Sequence, residues 1–233
     1  MKWKRKWILF YSFTIICILA AAHWGSQAAT VISENTPIPR KHRIIIDPGH
    51  GGVDGGATSC TGVMESKYNL DISLRLNDLL CLLGHYTRMT RTSDVSIYTK
   101  GESIAQKKVS DLKERVRISN ETENAILLSI HQNNFSDSRY SGAQIFYAGT
   151  PGSEQLANQM QSALLNTLNP GSSRKSKKSS SIYLMEHITC PGILIECGFL
   201  SNPEEEAKLR DPEYQKKLCC VISATVSQYL SNT

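Results

Sequence analysis

Three short apolar runs, Arg43–Ile46, Ala125–Ile130 and Gly192–Ile195, dominate the chain, and the first leads into a glycine-rich turn while the other two run straight into a charged or ionisable residue. Each run is branched, bounded by turn residues and too short for a buried helix, so each reads as a strand buried in a sheet. The segments between them carry helical spacing. Leu76, Leu79, Leu80 and Leu83 form one stripe in Ser66–Leu83, and Gly84 supplies a stop. Asp111-Leu112-Lys113-Glu114 opens a second helix with a capping-box pattern, to about Glu123, after an exposed loop over 94–108. Ser153–Leu168 is a third amphipathic helix and Asp211–Leu230 the closing one. Tyr86–Thr90, Gly142–Ala148 and Ile182–Leu184 read as further strands, and 169–181 as a polar loop. Strands that alternate with helices predict a single α/β domain, a mostly parallel twisted sheet flanked by helices.

At 233 residues the chain suits one such domain and is too short for two large ones. Residues 1–28 stand apart. Lys2, Lys4, Arg5 and Lys6 precede an apolar run from Ile8 to Ala22, and small residues around Ser26-Gln27-Ala28 resemble a cleavage site. This is the pattern of an export signal, or of an N-terminal membrane anchor if it stays uncut, and it places the rest of the chain outside the cytoplasm. Residues 29–42, with Pro37 and Pro39, read as a linker, and 43–233 as the functional domain.

The formal charge of +5 overstates the basicity of that domain. Four of the 26 basic residues lie in the leader and all 21 acidic ones lie beyond it, which leaves a net +1 and no global case for nucleic acid. One basic cluster remains, Arg174-Lys175-Ser176-Lys177-Lys178, read either as a solvated loop or as a contact for anionic wall polymer or a membrane surface. Outside the leader, Cys60, Cys81, Cys190, Cys197, Cys219 and Cys220 contain no Cys-x-x-Cys pair, so thiolate zinc is not expected, and at most one disulfide is.

The chemistry gathers at the strand ends. His50 follows Asp47-Pro48-Gly49 and precedes Gly51-Gly52; Glu65 opens the next helix; His131 follows Ile130; and Glu196 follows Ile195. The carboxyl edge of an open α/β sheet is where ligands collect. Two histidines and a carboxylate there can hold Zn²⁺ with a position open for water, and a second carboxylate can take that water's proton. Any one of the four has an ordinary structural explanation: a turn histidine, a carboxylate on a helix dipole, a hydrogen-bonded core histidine. Glu196 is the hardest to explain so, because an apolar strand should not end in an unpaired carboxylate. Asp47 is the candidate partner for the His50 ring.

Asp47-Pro48-Gly49-His50-Gly51-Gly52 with Gly55-Gly56, then Glu65, Ser129-Ile130-His131-Gln132-Asn133 and Ile193-Leu194-Ile195-Glu196-Cys197-Gly198-Phe199-Leu200-Ser201-Asn202, resemble the zinc-dependent N-acetylmuramoyl-L-alanine amidases of the amidase-3 type, over roughly 43–230. The resemblance implies His50, Glu65 and His131 as zinc ligands, Glu196 as the catalytic base, and hydrolysis of the amide between N-acetylmuramic acid and L-alanine in peptidoglycan. Arg91, Arg115 and Asn120 match recurrent family positions with structural or substrate-facing roles. Gln132 stands where relatives often have alanine, which predicts a changed pocket wall. With no wall-binding repeat and no long insertion over 142–168, the chain is similar to the sporulation-type members that modify spore cortex, whose targeting an accessory protein can supply. His187, outside these motifs, is a candidate oxyanion donor.

Two other readings compete. A non-catalytic peptidoglycan-binding protein would use the same groove but has no need of both a metal and a base. A cysteine hydrolase built on Cys197 conflicts with the strand pleat, since Cys197 and Glu196 are adjacent and must face opposite ways.

Overall fold

Ile44, Ile45 and Ile46 have no exposed surface, and the strand they form, β1 (Arg43–Pro48), pairs on both sides. The computed structural model describes residues 42–232. Six strands make one sheet in the order β2-β1-β3-β6-β4-β5, with β2 at Tyr86–Met89, β3 at Ala125–Asn133, β4 at Gln144–Tyr147, β5 at Lys177–Lys178 and β6 at Gly192–Phe199. β2, β1, β3 and β6 run parallel, while β4 pairs antiparallel with β6 and β5 pairs parallel with β4, so these two run the opposite way. The mostly parallel sheet expected from the sequence is therefore present, flanked by helices α1 (Glu65–Leu82), α2 (Ile104–Asn120), α3 (Ser153–Leu168), α4 (Tyr183–His187), α5 (Pro203–Arg210) and α6 (Pro212–Ser231).

The pleat sorts each central strand into two faces. Ile44, Ile46, Ile126, Leu128, Ile130, Ile193 and Ile195 pack with Ile72 and Leu76 of α1, Leu156 and Met160 of α3, and Leu218 and Ile222 of α6. Ile45, Leu127 and Leu194 face the other way, onto Leu184, Met185 and Ile188 around α4. This alternation sets up the site. Continuing it, Asp47, Ser129, His131 and Glu196 fall on the second face, while Gln132 and Cys197 fall on the first.

Several elements differ from the sequence reading. α2 begins at Ile104, not at Asp111, because Ser103 is the residue that caps it: the Ser103 hydroxyl accepts from Gln106 N at 3.3 Å and Gln106 Oε1 accepts from Ser103 N at 3.2 Å. Asp111 lies inside the helix and accepts from Ile97 N at 2.7 Å, pinning the preceding loop. Ile182–Leu184 leads into a helix instead of forming a strand, with Leu184 and Met185 filling the smaller core. α5 was not expected; Asn202 caps it by accepting from Glu204 N and Glu205 N, and Pro203 occupies its first turn. Lys177 and Lys178 of the basic cluster form the edge strand β5, and Arg174 lies 5.1 Å over the Phe199 ring, so this stretch is tied to the domain. β3 and β6 run past His131 and Glu196, which are therefore paired within the sheet and do not follow it. The leader at 1–28 and nearly all of the linker at 29–42 lie outside the described residues. Among the described residues no helix is long and apolar enough to cross a membrane.

Candidate metal centre and active site

His50 sits just past β1 with a backbone φ of 59°, a conformation costly for a residue with a Cβ. The cost is met by tethering. Arg115 Nη2 donates to the His50 carbonyl at 2.7 Å, and Gly51 and Asp54 pair through their backbones. His50 Nδ1 donates to Asp54 Oδ2 at 2.9 Å, which leaves Nε2 facing Glu65 Oε2 at 3.2 Å. Glu65 is buried at the start of α1, where Ala57 N donates to Oε2 at 3.0 Å, and Asn69 Nδ2 and Gln132 N donate to Oε1 at 3.1 and 3.2 Å. Its Oε1 also meets His131 Nδ1 at 2.9 Å. The two imidazoles stand edge to face, centroids 5.0 Å apart. Two glycines make room for this. A Cβ on Gly49 would lie 2.2 Å from the His131 ring, and one on Gly56 would lie 2.6 Å from Glu65 Oε2.

His50, Glu65 and His131 each offer one donor atom, and the three atoms lie within 4.8 Å of one another. They form a candidate metal site. Desolvation works against charge on His50, yet the hydrogen bonds and charges of Glu65 and Asp54 outweigh it and raise its pKa to about 9. Burial likewise opposes ionisation of Glu65, but His131 and His50 hold its carboxyl far below the usual range. Two imidazole nitrogens with one carboxylate oxygen are a donor set that suits zinc and leaves a position open.

Glu196 is the remaining member. Its β6 position pairs with His131 on β3, and its Oε2 is buried with no hydrogen-bond partner. Burial pushes its pKa up to about 7, and the Glu65 charge adds to the rise while His131 and His50 moderate it. A buried orphan carboxylate beside a ligand cluster is what a proton acceptor needs, and what a purely structural residue avoids. A cavity of about 160 Å³ opens against His50 and His131, with Leu112, Ile182, Leu184 and Leu194 as apolar wall; Glu65 and Glu196 lie behind its lining. Two roomier cavities, about 920 and 690 Å³, contain none of these four residues, so size does not mark the site.

Residues 44–228 match the Amidase_3 family, described as N-acetylmuramoyl-L-alanine amidase. The chain belongs to this family. It is 36% identical over 233 residues to the germination-specific N-acetylmuramoyl-L-alanine amidase of Bacillus subtilis (strain 168), covering 99% of this chain and 97% of that protein. Among solved structures it resembles the CwlD amidase from Clostridioides difficile in complex with the GerS lipoprotein, with a TM-score of 0.79, 36% identity, 83% of this chain and 100% of that one. It also resembles an N-acetylmuramoyl-L-alanine amidase from Clostridium difficile 630, with a TM-score of 0.71, 30% identity, and 83% and 98% coverage. The protein is accordingly a peptidoglycan amidase, and its family implies an extracytoplasmic place of work.

Within this amidase the other candidates take different places from those expected. Asp47 does not hold the His50 ring; Asp54 does. Asp47 instead accepts from Arg115 Nη1 at 2.5 Å, Thr90 Oγ1 at 2.7 Å and Ser129 Oγ at 2.8 Å. Burial alone would raise its carboxyl, but Arg115 and the two hydroxyls hold it below its ordinary value. Arg115 and Arg91 are structural. Arg91 donates to the carbonyls of Pro48, Gly49, Ser66 and Ser93, and its burial lowers its pKa to about 10. Asn120 ties the end of α4, donating to the His187 carbonyl at 3.0 Å and accepting from Thr189 N at 2.8 Å.

Gln132 does not line the cavity. It is buried on the opposite face of β3 and donates to Asn69 Oδ1 at 3.3 Å, beneath Glu65. His187 is exposed on α4, stacked on Tyr183 and bonded to its carbonyl, and is not part of the cavity wall. Cys197 is buried in the main core, where desolvation drives its thiol pKa far up, so it cannot supply a thiolate nucleophile. All six described cysteines are free.

Proposed function

We propose that this amidase is a zinc enzyme in which His50, Glu65 and His131 hold the ion and Glu196 is the general base. The observation that carries the reading is the buried, unpartnered Glu196 Oε2, register-paired with one member of a His–Glu–His cluster. Zinc, when bound, polarises the scissile carbonyl and acidifies water towards about pKa 7. The protein does the rest. Asp54 accepts the Nδ1 proton of His50, so Nε2 keeps its lone pair for the ion. Glu196 takes the proton of the attacking water and returns it to the departing L-alanine nitrogen. The apolar wall of Leu112, Leu184 and Leu194 excludes bulk water from the bond being cleaved.

The near full-length match to a germination-specific amidase supports a role in spore-cortex remodelling, and the lipoprotein complex of the C. difficile relative supports an accessory partner for targeting or activation. The basic, apolar residues 1–28 support export with a signal or retention by an anchor. The test is digestion of purified peptidoglycan with zinc-loaded and zinc-stripped protein, the new ends being identified by mass spectrometry. Free L-alanine amino termini matched by unsubstituted lactyl carboxylates, and lost on zinc removal, are expected. Undiminished cleavage without zinc, or zinc retained after all three ligands become alanine, would overturn the reading.

A further inference from the structure

The loop that carries His50 is attached to one face of α2. Lys108, Asp111, Leu112 and Arg115 recur at helical spacing, and all four border the metal-site cavity. Arg115 grips the loop by its backbone, donating to the carbonyls of Pro48 at 2.8 Å and His50 at 2.7 Å. Lys108 grips it by a side chain. Its Nζ lies 2.7 Å from Asp54 Oδ1, while the other oxygen of the same carboxylate accepts the His50 ring proton at 2.9 Å. Among the described residues, Oδ1 also accepts a longer contact from Gly56 N at 3.3 Å.

We propose that Lys108 is a positioning residue for the metal site: its ammonium fixes the Asp54 carboxylate, and the carboxylate in turn fixes the tautomer and ring orientation of His50. This rests on the zinc reading above. Asp54 stands in a glycine-rich turn with 21% of its side chain exposed, so without Lys108 only the long 3.3 Å contact from Gly56 N keeps Oδ1 from turning towards solvent. His50 would then lose the acceptor that selects the Nδ1–H form. Lys108 itself is 48% exposed on a helix, so replacing it leaves the core untouched.

A cation beside a metal site also has a direct effect of opposite sign. Removing Lys108 takes away a positive charge, and simple Coulomb repulsion would then make zinc bind tighter. The sign of the change therefore separates the two roles. Loss of an outer partner of a ligating histidine typically costs about 10- to 100-fold in metal affinity.

The experiment measures the zinc dissociation constant of the full-length protein by competition with a fluorescent chelator, for wild type, Lys108→Met, Lys108→Arg and Asp54→Asn. It is paired with long-range imidazole ¹H–¹⁵N spectra of the zinc-loaded proteins, in which the His50 ring is neutral and its Nδ1–H form can be read. Lys108→Met should weaken zinc by about 10-fold or more and move His50 from the Nδ1–H form towards a mixture, and Lys108→Arg should restore most of both. Lys108→Met combined with Asp54→Asn should be no worse than Asp54→Asn alone, since both act through one carboxylate. Unchanged or tighter zinc binding in Lys108→Met, or an unaltered tautomer, would overturn the inference while leaving the zinc reading intact. A wild-type protein that takes up no zinc would overturn both.

Discussion

Replacing Glu196 by glutamine should stabilise the zinc-free protein at alkaline pH and change it little at acid pH. In the folded protein burial raises the Glu196 pKa from 4.5 to about 7. The gap is roughly two and a half pH units, and each unit is worth about 1.4 kcal/mol. A raised carboxyl favours the protonated folded state, so its contribution is complete below the unfolded value of 4.5 and disappears as pH climbs through about 7. Wild type should lose roughly 3 kcal/mol from this group between pH 4.5 and pH 8, a loss that glutamine, which does not titrate, escapes. The assay is urea unfolding of both proteins from pH 5 to 8.5 with a chelator present. His50 and Glu65 are coupled to Glu196, so the difference between the two profiles reports the titration of the cluster with and without that carboxylate. Added zinc should shrink the advantage of the variant, because a cation in the cluster stabilises the ionised carboxylate. Stability profiles that run parallel across this range would refute the reasoning, since Glu196 would then be a solvated carboxylate with no special environment.

Other consequences follow from the same geometry. Gly56→Ala would place a Cβ 2.6 Å from Glu65 Oε2 at a φ of 70°, so zinc affinity and kcat/KM should both fall; normal zinc uptake would contradict the packing described. Arg115→Met strands Asp47 and Asp111 in the interior and should destabilise by about 3–5 kcal/mol in chemical denaturation, whereas a loss under about 1 kcal/mol would show the charges to be relieved by water. Reporters fused after residue 40 should be active only outside the cytoplasm, and cytoplasmic activity would count against export and a wall substrate.

The parts of this site legible in the sequence were those that break a local rule. An unpaired carboxylate is out of place directly after Ile193-Leu194-Ile195, and strand parity alone puts Glu196 and Cys197 on opposite faces, as the structure has them. The strands β1, β3 and β6 were readable for the same reason, being too short and too branched for anything else. The unread parts depend on contacts across the chain. Asp54 and Lys108 meet only because α2 packs beside the His50 loop, and nothing near either residue announces the pairing. By sequence Asp47 lies nearest His50, but Arg115, 68 residues away, takes it with a permanent charge. The start of α2 was missed because Gln106, Lys107 and Lys108 make its first turns polar, and Ile182-Tyr183-Leu184 is too short for periodicity to separate strand from helix.

The central claim is that Glu196 acts as the base without holding the metal, and Glu196→Gln tests it most directly. Zinc content and release of free stem peptide from purified peptidoglycan should be measured on the same preparation. Zinc should remain near one equivalent, while turnover falls by about 10²- to 10⁴-fold, the contribution of a positioned acid or base. Loss of zinc would make Glu196 a ligand, and full activity would place the base elsewhere; either result contradicts the assignment.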